Sequence, residues 1–77
     1  MTSEWYTVKY EKDIEPVLKE LDAKYGLSNL DFSNKPEKLM GNYQVLTLIN
    51  IKNMRQCIRI DAPAFIIDTI RSRIADR

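Results

Sequence analysis

The chain lacks histidine entirely and has one cysteine and two glycines among its 77 residues. Without histidine, no Ser-His or Cys-His pair can activate a nucleophile, and a metal site would need carboxylate ligands almost alone. One cysteine excludes an intramolecular disulfide, and two isolated glycines exclude a glycine-rich phosphate loop. These absences predict a protein that is not an enzyme and that binds no metal or other cofactor.

Long apolar segments are missing as well. The longest apolar run, residues 62–67, is far too short to span a bilayer. The N-terminus does not show the basic and then apolar pattern of a secretion signal. We therefore expect a cytoplasmic protein without a membrane partner. A chain of this length is expected to form a single domain over residues 1–77, with shallow grooves and flat faces rather than a deep cleft.

Positive charge is unevenly distributed along the chain. Residues 1–40 carry six lysines against eight acidic residues, whereas residues 41–77 carry one lysine and five arginines against three acidic residues. The arginines are Arg55, Arg59, Arg71, Arg73 and Arg77. Because arginine is planar, permanently charged and able to fork onto carboxylate or phosphate, this segregation suggests a contact surface in the second half.

The first half of the chain predicts a strand followed by a helix. Glu4–Tyr10 is rich in aromatic and β-branched residues and is typical of a strand, with Trp5 and Tyr6 on opposite faces. A helix is expected between Asp13, a favourable N-cap residue, and Gly26, a stop signal. Its apolar stripe consists of Ile14, Val17, Leu18, Leu21 and Tyr25.

The second half predicts an irregular connection, two strands and a second helix. Leu27–Gly41 contains several turn-forming residues and shows no clear period. Residues 42–51 and 54–60 are expected to form strands, and the last helix is expected to begin at Asp61 or Ala62, with a proline in its first turn. The apolar stripe of that helix consists of Ile66, Ile67, Ile70 and Ile74.

The sequence leaves the register of these two strands open. A two-residue loop would place Ile49 on the face of Ile58 and Ile60. A three-residue loop would place Leu46 and Leu48 there instead, which gives a cleaner core face. The choice matters because a slip of one residue moves every side chain to the other face.

The predicted order of elements is β-α-(irregular)-β-β-α. We expect an α+β fold in which a small single-layer antiparallel sheet of about three strands packs against two amphipathic helices. One layer of sheet would then bury the apolar stripes of both helices.

Five residues are candidates for a binding site. Arg55 and Arg59 are an even number of residues apart in the second strand of the hairpin, so they should emerge on one sheet face, opposite Ile58 and Ile60. Trp5 or Tyr6 would supply an aromatic anchor if the first strand lies beside that strand. Phe65 lies away from the isoleucine stripe. It is expected either to hold the start of the last helix against the preceding strand or to be an exposed anchor.

These patterns favour a small non-enzymatic binding protein with a regulatory role. It would be an accessory subunit, adaptor or inhibitor that docks on a larger protein through the face with Arg55 and Arg59. The alternative is an RNA- or DNA-binding module that uses the same face. Against that alternative, the chain has neither the GXXG loop of KH modules nor the aromatic-rich strand of RRM modules, and its net charge is only +1.

Two further hypotheses concern a sheet edge and the cysteine. A free edge strand would allow two copies to pair as a homodimer. Cys57 lies between Arg55 and Arg59, an electropositive setting in which a thiol can become reactive. The simpler interpretation of Cys57 is a partly buried strand residue that only packs.

Overall fold

The computed structural model describes residues 2–76. Its elements are β1 (Thr2–Thr7), α1 (Ile14–Tyr25), β2 (Leu30–Phe32), β3 (Glu37–Lys38), β4 (Tyr43–Asn50), β5 (Asn53–Pro63) and α2 (Ala64–Ala75). The strands form one sheet in the order β1-β5-β4-β2, and β3 also pairs with β4. The expected α+β fold, a sheet packed with helices, is confirmed, although the sheet has five strands instead of about three.

The sheet is mixed, so the expectation of an antiparallel sheet is wrong. β1 runs parallel to β5, from Thr2 opposite Gln56 to Thr7 opposite Asp61, while β4 is antiparallel to β5. A parallel pair requires a long crossover between its strands. Here everything from α1 to β4 forms that crossover. The direction of β5 relative to β1 depends on where this crossover returns the chain to the sheet. Local sequence patterns do not show that position.

The segment that was expected to be irregular contains the two shortest strands. β2 pairs antiparallel with the end of β4, and β3 pairs antiparallel with its beginning. Strands of three and two residues are too short to show the alternating pattern by which strands are recognised in a sequence. Leu30, the first residue of β2, is fully buried, so this strand contributes to the core.

The β4–β5 hairpin turns through residues 51–52 and then shifts its register. Ile49 lies opposite Cys57, so residues 54–56 form a bulge without partners in β4. Beyond the bulge, the paired core residues are Leu46 with Ile60 and Leu48 with Ile58. The turn thus has two residues, yet Leu46 and Leu48 lie on the core face with Ile58 and Ile60, as expected for a three-residue loop. The two features occur together because the bulge changes the pairing of all later residues.

β1 ends earlier than the sequence predicted, at Thr7 rather than at Tyr10. The Val8 N–H still donates to the Asp61 carbonyl at 2.9 Å, but Tyr10 already accepts from the Asp13 N–H at 3.0 Å. That hydrogen bond closes a turn, which takes the chain out of the sheet before α1 begins. Asp13 occupies the expected N-cap position without a side-chain capping hydrogen bond.

β5 is longer than predicted, and α2 begins later. The strand continues through Pro63 and the helix begins at Ala64, rather than at Asp61 or Ala62. The Ala64 N–H donates to the Asn42 carbonyl at 2.8 Å, just before β4. Pairing with the long strand β4 keeps the end of β5 extended. This pairing outweighs the preference of Pro63 for the first turn of a helix.

Both helices pack on the same face of the sheet. The predicted stripes face the core: Ile14, Leu18, Leu21, Ile66, Ile67, Ile70 and Ile74 are buried, and Val17 and Tyr25 are partly buried against them. Each buried leucine or isoleucine contributes about 2 kcal/mol to the free energy of unfolding. Among the described residues, neither helix is long and apolar enough to cross a membrane.

Gly26 ends α1 with a backbone that a side chain would strain. Its φ is 79°, and a Cβ there would lie 2.9 Å from Nδ2 of Asn29, which donates to the Tyr25 carbonyl. We expect Gly26→Ala to lower the free energy of unfolding by about 2 kcal/mol, measured by urea unfolding. Gly41→Ala is the control, because Gly41 has φ 65° but open space around it. Equal losses in the two variants would contradict the steric part of this argument.

Candidate docking face of the sheet

Among residues 2–76, one face of the sheet carries no helix. Strand residues alternate between two faces, and the residues that alternate with the core residues must lie on the side away from α1 and α2. We call this side the open face. Its residues in the three longest strands include Ser3, Trp5, Thr7, Tyr43, Val45, Thr47, Ile49, Cys57, Arg59 and Asp61.

Trp5 and Arg59 form the most distinctive contact on the open face. They lie opposite each other in β1 and β5, and the Arg59 guanidinium carbon is 5.3 Å from the centroid of the Trp5 ring. The Trp5 side chain is 59% exposed. Within residues 2–76, no carboxylate forms an ion pair with Arg59. The cation–π contact therefore orients the guanidinium and leaves its charge without an acidic partner.

Apolar side chains continue the open face beside this pair. Val45 is buried and Ile49 is half-buried, although neither points toward the helices. Cys57 is also half-buried and lies between Ser3 and Ile49 in the register. Ile49 and Cys57 therefore form an apolar pair across β4 and β5, and Thr47 separates this pair from Val45 along β4.

Acidic residues also belong to the open face. Asp61 lies on it, and its carboxylate accepts a hydrogen bond from the Thr7 hydroxyl at 2.8 Å. Asp31 lies opposite Ile49, and Glu37 lies opposite Val45, so the register places both on the same side. The charges on this face are therefore of both signs and do not form a continuous basic surface.

The position of Arg55 on the same sheet face as Arg59 stays a prediction. Arg55 lies within residues 54–56, which have no partners in β4, and it precedes the part of β5 that pairs with β1. Arg55 is exposed, and its backbone N–H donates to Oδ1 of Asn53 at 3.2 Å. The cation–π contact with Trp5 belongs to Arg59.

Tyr6 and Phe65 lie away from the open face. Tyr6 faces the core, where its hydroxyl donates to Oε2 of Glu4 at 2.7 Å, so only Trp5 of the two candidate aromatics belongs to the open face. Phe65 lies in the first turn of α2, on the helical layer, and is 58% exposed. The structure thus brings together Trp5 and Arg59 but not all five predicted residues.

The arginines of α2 have contacts within the chain. Arg73 forms an ion pair with Glu15 of α1. The Arg71 guanidinium lies 5.7 Å from the centroid of the Phe32 ring, beside a shallow depression of about 210 Å³ that Ser72 and Ala75 also line. Arg77 lies outside the described residues. Among residues 2–76, no group of three or more His, Cys, Asp or Glu side chains is arranged to hold a metal ion.

Glu4 forms a polar cluster that the sequence did not reveal. Its carboxylate accepts hydrogen bonds from the hydroxyls of Tyr25 at 2.6 Å and Tyr6 at 2.7 Å, and from Nζ of Lys24 at 3.2 Å. The hydrogen bond from Tyr25, followed by that from Tyr6, lowers the pKa of Glu4. Burial, together with the hydrogen bond from Tyr25 to Glu4, raises the pKa of Tyr25 to about 12. The cluster ties β1 to the end of α1, and so holds the strand that carries Trp5.

We expect Glu4→Gln to lower the free energy of unfolding near pH 7 by about 1 kcal/mol. Hydrogen bonds to a buried charged group contribute more than this to the free energy of unfolding. The expected loss is smaller here because the Glu4 side chain is 36% exposed and solvent screens its charge. Since the pKa of Glu4 is lowered by folding from its usual 4.5, the contribution is complete above pH 4.5. It is lost as the pH falls through the lower pKa of the folded state.

Urea unfolding near pH 7 and near pH 3 measures this difference. The control is Glu37→Gln, which removes an exposed carboxylate on β3. A loss in Glu4→Gln that is the same at both pH values would show that the charge of Glu4 contributes nothing.

Comparison with known proteins supplies no relative, because no family model, no curated protein and no solved structure matches the chain. The function must therefore be inferred from the residues and geometry of this chain.

Proposed function

We propose that this chain is a small non-enzymatic binding protein that docks on a larger protein through the open face. It acts as an accessory subunit, adaptor or inhibitor, by tethering its partner or by covering part of its surface. The observation that carries the proposal is the exposed Trp5 ring beneath the Arg59 guanidinium on a sheet face without helices. Tryptophan and arginine are the residues that most often dominate binding energy at protein interfaces.

The open face also indicates the chemistry of the partner. Arg59 has no ion pair within the described chain, so burying it at an interface requires a carboxylate from the partner. Its planar fork can bind such a carboxylate with two hydrogen bonds. The exposed Trp5 and the half-buried Ile49 and Cys57 require an apolar surface next to that acid. The partner therefore presents an Asp or Glu side chain beside apolar groups.

The mixed charges of the open face favour a protein over a nucleic acid. Affinity for a phosphate backbone comes mainly from clustered lysine and arginine. Here Asp31, Glu37 and Asp61 share the face with Arg59, and each would repel phosphate. A protein partner can place its own basic and acidic groups to match such a pattern.

Two variants of the open face test this proposal. Trp5→Ala and Arg59→Gln should each weaken binding of the partner by at least about tenfold, because each removes a central interface group. Arg71→Gln and Phe65→Ala alter exposed residues of α2 and should bind as the wild type does. The partner is isolated by affinity capture from native cells with the wild-type chain, and its affinity for each variant is then measured by calorimetry.

Two results would overturn the proposal. Undiminished binding by both open-face variants would place the contact elsewhere on the molecule. A labelled oligonucleotide that binds at low salt, is released steeply as salt rises and is lost in Arg59→Gln would make the open face a nucleic-acid site instead.

A further inference from the structure

The two edges of the sheet are built differently. On one edge lie β2 and β3, which are only three and two residues long and carry Asp31 and Lys38, with Pro36 just before β3. Short strands, charged side chains and proline are the usual means by which a sheet edge is protected from other strands. On the other edge lies β1, six residues without proline or lysine, paired with β5 without interruption.

The backbone groups of β1 that face outward can be identified from one hydrogen bond. The Val8 N–H points toward β5, because it donates to the Asp61 carbonyl at 2.9 Å. Backbone groups of alternate residues in a strand point in the same direction. The N–H and C=O groups of Ser3, Trp5 and Thr7 therefore point toward the free edge, where no strand among residues 2–76 pairs with them.

We propose that a second copy of this chain pairs with β1 in antiparallel register about a twofold axis at Trp5. Ser3 then lies opposite Thr7 of the second copy, and Trp5 lies opposite its own equivalent. Each of these opposed pairs exchanges two backbone hydrogen bonds, since both members have outward-facing groups. The two sheets become one continuous sheet with both open faces on the same side.

Repulsion between like charges and the number of paired residues select this register over its neighbours. Glu4 is the only charged residue of β1. An axis at Trp5 places Glu4 opposite Tyr6 of the second copy, whereas an axis at Glu4 would place two carboxylates directly opposite each other and repel. An axis at Tyr6 would leave Thr2, Ser3 and Glu4, half of the strand, without a partner in β1 of the second copy. The chosen register also places the two exposed Trp5 rings side by side, where aromatic cross-strand pairs are favourable.

Pairing along β1 is independent of the proposed docking function. It depends mainly on the backbone of the edge, whereas docking depends on the side chains of the open face. Trp5 contributes to both, but Ser3→Pro tests the pairing alone and Arg59→Gln tests the docking alone. Where both hold, the dimer presents two Arg59 side chains on one surface. A partner with two acidic sites would then bind more tightly than one with a single site, through effective concentration.

Proline at position 3 tests the pairing. Ser3→Pro removes an outward-facing N–H and leaves the hydrogen bonds to β5 intact, since proline is tolerated in an edge strand when its nitrogen faces solvent. The matched control, Ser3→Val, keeps the N–H. Sedimentation equilibrium is measured from about 1 µM to about 1 mM, a range that covers weak dimers. We expect wild type and Ser3→Val to dimerise, and Ser3→Pro to dimerise at least about tenfold more weakly.

A second measurement holds even if Ser3→Pro fails to fold. In a Cys57→Ser background, the double variant Ser3→Cys, Thr7→Cys should form a covalent dimer with a short bismaleimide cross-linker, because the Cβ atoms of an opposed hydrogen-bonded pair are about 5.5 Å apart. A wild-type chain that remains monomeric throughout the range would overturn the proposal. So would a folded Ser3→Pro variant that dimerises as well as the wild type, or a double variant that forms no covalent dimer.

Discussion

The burial of one face of β5 against both helices is the constraint on which the rest of the structure depends. β5 is the strand with a long partner on each side, β1 in parallel and β4 in antiparallel pairing. Ile58 and Ile60 are fully buried beneath the isoleucine stripe of α2. Since side chains alternate along a strand, this burial directs Cys57 and Arg59 to the opposite face. Among residues 2–76, both helices, α1 and α2, pack on the face that carries Ile58 and Ile60, so the other face stays open.

The same constraint explains the altered hairpin. Regular pairing from the two-residue turn would place Leu46 and Leu48 on the face away from Ile58 and Ile60, and their apolar surface would lie without a helix over it. The bulge at residues 54–56 costs some regular pairing but restores all four side chains to the core. Its consequence for the candidate site is that Arg55 is separated from the regular part of β5. The register of β1 against β5 is what places Arg59 beside Trp5.

The four described arginines acquire different roles from their surroundings. Arg73 is held by Glu15 in the other helix, and Arg71 lies over Phe32 of β2, so both link elements within the chain. Arg59 contacts an exposed ring and has no acidic partner among residues 2–76. The segregation of arginine in the sequence is therefore not one surface. Among residues 2–76, Arg59 and Arg71 each contact an aromatic ring and have no ion pair, but only the ring at Arg59 lies on the open face.

The sequence by itself determined the elements that local physics specifies: the two helices with their apolar stripes, the stop at Gly26, and the opposite directions of Trp5 and Tyr6. These follow from periodicity and from the conformational freedom of glycine, which act over a few residues. Only the tertiary structure decided the parallel partner of β1, the short strands β2 and β3, the bulge around Arg55 and the polar cluster around Glu4. Apart from the bulge, each of these features joins residues far apart in the chain, such as Glu4 and Tyr25 or Trp5 and Arg59. Their geometry depends on which core packing has the lowest free energy, and no local pattern encodes it.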